Sequence, residues 1–186
     1  MVMVETIRRR VSGIILPPFD NLDSFEYSCL AGRPLLPDTS LRMCTGINTT
    51  ALNGGHFING QYGIKKFDFH TNEEVALCGF DIENGEMVIR HTPQGKKPQE
   101  FSSSQVRNRL VRSNFRIEMM EAMIEIAEKL GLKGVVGFPV RPYFLGDIKV
   151  YLHKIVGKNN MFEHFNFSLI NGDKPNDAYY YLSLNY

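Results

Sequence analysis

Tryptophan is absent from this 186-residue chain, cysteine occurs only three times, and positive and negative charge nearly cancel to a net +1. The balance excludes a global field that would steer the whole molecule to nucleic acid or a membrane, so any electrostatic function must reside in a local patch. Cys29, Cys44 and Cys78 are widely spaced, odd in number and contain no CxxC pair. That argues against a disulfide framework and a structural zinc site, and for reduced thiols in the cytoplasm. Long apolar runs are missing too: nothing approaches the ~20 residues of a membrane span. No signal peptide is visible, because the apolar run Val11 to Leu16 after Arg8-Arg9-Arg10 is short and stops at Pro17-Pro18. His56, His70, His91, His153 and His164 include no HxxxH pair, so no metal is expected.

What is present suits one ordinary α/β domain over 1–186, with 43 % apolar residues and thirteen Phe and eight Tyr to supply core mass. Thr6 to Leu16 reads as a strand stopped by the prolines. Residues 20–63 are dense in Gly and Pro and read as loops and short segments, with short helices not excluded. From residue 64 the pattern sharpens. Ile64 to Phe69, Glu74 to Ile82 and Glu86 to His91 read as strands, with a turn at Thr71-Asn72 and a hairpin turn at Asn84-Gly85. Pro93 to Ser104 is polar and reads as a loop.

Met119, Met120, Met123, Ile124, Ala127 and Leu130 recur at helical spacing and mark one apolar face. Ser113 and Asn114 are candidate caps, and Gly131 suits the position after the helix. Lys133 to Val140 reads as a buried strand and Asp147 to Val156 as a second helix. Phe162 to Leu169 and Tyr179 to Leu184 read as a closing strand pair, with Asn171-Gly172 and Pro175-Asn176 in their connection.

Lys96, Lys97, Arg107, Arg109, Arg112 and Arg116 lie between Gly95 and Arg116 against one acid, Glu100. If the helix starts early, Arg109, Arg112 and Arg116 share a face. Guanidiniums clustered at a helix start suit phosphate oxygens, and the plainer alternative is a solvated surface. Cys44 and His56 in a Gly-rich stretch invite a Cys/His nucleophile reading, although no protease-like signature surrounds them. Asn53-Gly54-Gly55 reads as an anion-binding nest or a tight turn. Tyr179 to Tyr181 alternate as strand residues.

The order of elements from residue 64, together with MMEAMIEIAEKLGLKGVVGF (119–138) and FEHFNF (162–167), resembles the GNAT acyltransferase superfamily. The resemblance implies a mixed, mainly antiparallel sheet flanked by helices, and transfer of an acyl group from acetyl-CoA or a longer acyl-CoA to an amine of a small molecule or protein. The amine would attack the thioester directly, with the carbonyl polarised by a backbone amide near Ile89, Arg90 and His91. The family's pyrophosphate loop maps onto Arg112, Ser113, Asn114, Phe115 and Arg116, keeping the basic position but placing Phe115 and Ile117 where the family has small residues. Its frequent Tyr general acid maps onto Phe162. His91 at a strand end could serve as a base or simply hydrogen-bond there. Glu73 and Glu74 open the strand where the family often carries a carboxylate base, Glu74 being the candidate; as residues alone they read as exposed acids. The alternative is a non-catalytic binding protein whose 96–116 patch takes a nucleotide, RNA or an acidic partner.

Overall fold

A computed structural model describes residues 13–36, 40–48, 59–137, 161–170 and 179–184. Along the chain run α1 (Leu22–Leu30), β1 (Leu41–Asn48), β2 (Asn59–Phe67), β3 (Glu74–Glu83), β4 (Glu86–Gly95), α2 (Ser104–Arg112), α3 (Phe115–Lys129), β5 (Gly134–Gly137), α4 (Met161–His164), β6 (Ser168–Ile170) and β7 (Tyr179–Ser183). The described strands form one sheet in the order β1-β2-β3-β4-β5-β7-β6. β1 to β4 are an antiparallel meander, β5 runs parallel to β4, and β7 lies antiparallel between β5 and β6. This is the expected α+β class, a mixed and mainly antiparallel sheet flanked by helices.

The β3–β4 hairpin turns at Asn84 (φ 53) and Gly85 (φ 79), the two left-handed residues that a two-residue turn needs to match strand twist. On β2, Tyr62, Ile64 and Lys66 alternate onto the face covered by α1 and α3. Phe25 of α1 meets the Tyr62 ring at 5.0 Å and Phe80 at 6.3 Å, and Lys66 meets Glu118 of α3. α3 packs on β2, β4 and β5. Met119, Met120, Met123, Ile126 and Ala127 are fully buried, and Glu121, Ala122 and Ile124 are buried too, so the helix hides more than one stripe. Each such Met or Ile contributes roughly 1.5–3 kcal/mol by leaving water.

Several expectations need correction. The Gly and Pro density of 20–63 hid α1 and β1. α1 starts at a reciprocal capping box between Asn21 and Ser24, a local signal that composition obscured. Within the described part of 6–16, only an isolated bridge joins Ile15 to Leu36. β4 continues through Pro93 to Gly95. Gly79 faces His91 while Leu77 faces Gln94, so three steps on β4 answer two on β3, and the proline sits in that bulge where a missing donor is tolerated. Phe162 to Leu169 is not one strand: Met161–His164 is a helical turn, and strand resumes at Ser168. Residues 6–12, 138–140 and 147–156 and the turns in 171–178 lie outside the described residues.

Candidate active site

β4 carries a second irregularity beside its boundary with β5. Val88 faces Asp81 and Ile89 faces Phe80, but the next β3 residue, Gly79, faces His91, so Arg90 is an extra residue on β4. A bulge takes its residue out of the ladder and re-aims the strand. It stands next to the end of the described parallel pairing, at Ile89↔Gly137. Ile89 is buried. The Arg90 side chain is turned to carboxylates, bonding Asp81 at 2.5 Å and also Glu83. Asp81 first and Glu83 second hold that guanidinium protonated. His91 is buried, and burial lowers its pKa toward the neutral imidazole.

The start of α3 lies at the other end of β4. α2 stops at Arg112, Ser113 is extended, and α3 begins after Asn114, so one continuous helical face for Arg109, Arg112 and Arg116 is not formed. Ser113 Oγ donates to the Leu110 carbonyl at 2.8 Å. The Asn114 carbonyl accepts from the amides of Ile117 and Glu118, and its side chain makes no capping bond. The first amides of a helix have no intrahelical acceptor, so those of Phe115 and Arg116 are available in principle to an anion. Phe115 is buried and packs toward Gly95, and the Arg116 guanidinium sits 5.5 Å from the Phe115 ring.

The basic patch divides. Lys96 pairs with Glu73 at 2.9 Å and Arg109 with Asp68. Lys97, Arg107, Arg112 and Arg116 are exposed and have no carboxylate partner among the described residues. Glu73 is held below the usual carboxylate range by Ser102 first, then Lys96. Glu74 opens β3 and bonds Lys65 at 2.8 Å. Its separation from Gly79, the register partner of His91, is five residues of strand, about 17 Å at ~3.3 Å each. Glu74 and His91 are therefore not brought together, whereas Ile89, Arg90 and His91 cluster at the bulge and Arg112 to Arg116 cluster at the helix start.

Sequence reasoning missed a cleft of about 300 Å³ lined by Ser40, Lys66, Phe67, Asp68, Phe69, His70, Val75, Arg109, Leu110 and Ser113. Asp68 accepts both Nε and Nη2 of Arg109, at 2.7 and 2.8 Å, as well as the amides of His70 and Thr71 and the Thr71 hydroxyl. Arg109 first, and then Thr71, hold the Asp68 carboxyl well below the usual range. Lys66 reaches Ser40 at 3.1 Å and Glu118 at 3.4 Å from a buried position. One signal was legible: a lysine on the core-facing row Tyr62, Ile64, Lys66.

The remaining candidates are quickly placed. Cys44 is partly buried and its thiol is pushed up to about 12 by burial, the opposite of nucleophile activation. His56 and Asn53-Gly54-Gly55 lie outside the described residues. No group of three metal-ligating side chains occurs among the described residues, and none of their helices is long and apolar enough to cross a membrane. Phe162 is buried, with its ring against Gly137 and stacked 4.7 Å from Tyr180, so it fills core at this position.

No protein-family model matches the chain, and no curated protein matches it. Among solved structures it is similar to an acetyltransferase of the GNAT family from Staphylococcus aureus Mu50. The identity is 12 %, the alignment covers 88 % of this chain and 75 % of that one, and the TM-score is 0.38.

Proposed function

We propose that the chain is an acyl-CoA-dependent N-acyltransferase. The observation that carries the reading is the bulge at Arg90, next to the last described parallel pair of β4 and β5, Ile89↔Gly137. A backbone amide out of the ladder at that place is a donor for the oxygen of a thioester carbonyl as it gains charge. The amine nitrogen bonds to the carbonyl carbon, the carbon–sulfur bond breaks, and the thiolate of CoA leaves. The amine's proton passes to a base and then to the sulfur. His91 is the nearer candidate base, because it lies beside the bulge and burial holds its imidazole toward the neutral form. Glu74 would act only on the far portion of an extended acceptor. Arg112 and Arg116 would hold the pyrophosphate near the start of α3, chiefly by side-chain charge. Ser113 and Asn114 would line that loop, and Phe115 would keep the anion away from the backbone, so that side-chain charge supplies more of the binding.

The four exposed cations without described carboxylate partners favour a second reading, a non-catalytic protein that binds a nucleotide, RNA or an acidic partner through the same patch. Release of free CoA thiol from acetyl-CoA in the presence of a panel of amines tests the first reading. Transfer lost in His91→Ala supports it. Absence of acyl-CoA binding together with tight RNA binding favours the second.

A further inference from the structure

We propose that the cleft between the end of β2 and α2 is a binding site for a small oxyanion, a phosphate or carboxylate group on a compact organic body. This site stands whether or not acyl transfer is the activity. At about 300 Å³ the cleft is at the small end of ligand pockets. Its acid is already satisfied: Asp68 accepts five hydrogen bonds from Arg109, His70 and Thr71. Its donors are not exhausted. A guanidinium carries five N–H groups and Arg109 spends two on Asp68, which leaves three. The exposed imidazole of His70 and the ammonium of Lys66 line the same space. A lining whose acid is saturated and whose Arg109 guanidinium retains donors selects a ligand rich in acceptors. Phe67, Val75 and Leu110 supply apolar wall for the body of that ligand.

Lys66 adds a second line of argument. It occupies the core-facing row of β2, yet it is charged and held by Ser40 and Glu118. Buried ion pairs are weak sources of stability, and an apolar residue on that row would serve packing as well. A bound anion above Lys66 gives the arrangement a role. The cleft touches Val75, which accepts from Lys96 just past the end of β4. The bulge at Arg90 is five residues back along β4, about 17 Å. A compact ligand cannot fill both places.

The test is a titration of the isotopically labelled full chain with sulfate, inorganic phosphate and benzoate, followed by amide NMR shifts. The expected result is saturable shifts at residues 66–70, 109 and 113, weakened about tenfold in both His70→Gln and Arg109→Gln. His70 is exposed, so its variant keeps the fold even if loss of the Asp68 pair unsettles Arg109→Gln. Shifts absent at millimolar anion, confined to 112–116, or unchanged in His70→Gln overturn the proposal. Acetyl-CoA and its analogue lacking the 3′-phosphate separate two sources. Shifts at Arg109 that need that phosphate assign the cleft to the nucleotide's own terminal phosphate. Sulfate shifts that persist under saturating acetyl-CoA assign it to a free ligand.

Discussion

Arg109 of α2 grips Asp68 at the end of β2 through two parallel hydrogen bonds of 2.7 and 2.8 Å, across 41 residues of chain. The pair fixes the wall of the cleft and docks α2 on the sheet. Because Asp68 is held below its ordinary value, its contribution is present above the unfolded carboxyl pKa of about 4 and is lost as pH falls through the native value. Asp68→Asn should lower the urea midpoint at pH 7. It should also flatten the fall in stability between pH 5 and pH 3. Unfolding midpoints at these pH values check both effects; a variant with the wild type's acid slope would show that the ion pair contributes nothing.

Gly137 is where β5 meets Phe162. A Cβ there would stand 2.2 Å from a ring carbon, and the ring is pinned against Tyr180. Gly137→Ala should therefore cost about 1–3 kcal/mol by overpacking. Phe162→Leu in the same chain should recover part of that loss, since it removes the atoms that clash. A double-mutant cycle in denaturant measures the coupling.

Met123 of α3 lies in the core with no exposure. Met123→Asp buries an unpaired charge and should cost several kcal/mol, while Met123→Leu should stay within about 1.5 kcal/mol. Equal midpoints for the aspartate variant and the wild type would mean the helix is packed on a different face.

Arg112 is exposed at the last turn of α2 and has no described carboxylate partner. If it holds pyrophosphate by side-chain charge, Arg112→Ala should weaken acetyl-CoA binding severalfold, and salt should weaken the wild type more than the variant. Calorimetry at two salt concentrations reads both. Unchanged affinity removes Arg112 from the site.

Legibility in the sequence followed how local each determinant is. The β3–β4 hairpin was readable because Asn84-Gly85 and the flanking alternation are contiguous, and α3 because its apolar spacing runs over four turns. α1 was hidden: LDSFEYSCL is weakly amphipathic and lies among glycines and prolines, although its capping pair was in plain view. The Arg90 bulge was not readable, because an extra residue on β4 exists only relative to β3. Of the cleft only Lys66 on the core-facing row of β2 was readable, since Asp68 and Arg109 meet only after β3, β4 and α2 are in place. The basic run from Lys96 to Arg116 was visible as charge, but which cations are spent on Glu73 and Asp68 depends on tertiary contacts.

The most direct test of the central claim is a thermal unfolding series of the full chain with acetyl-CoA and longer acyl-CoAs. A ligand at one hundred times its Kd stabilises the folded state by about 2.7 kcal/mol. The account predicts a concentration-dependent rise in melting temperature with at least one acyl-CoA, reduced in Arg112→Ala. No rise with any acyl-CoA at millimolar concentration, alongside a clear rise with a short RNA, would contradict it.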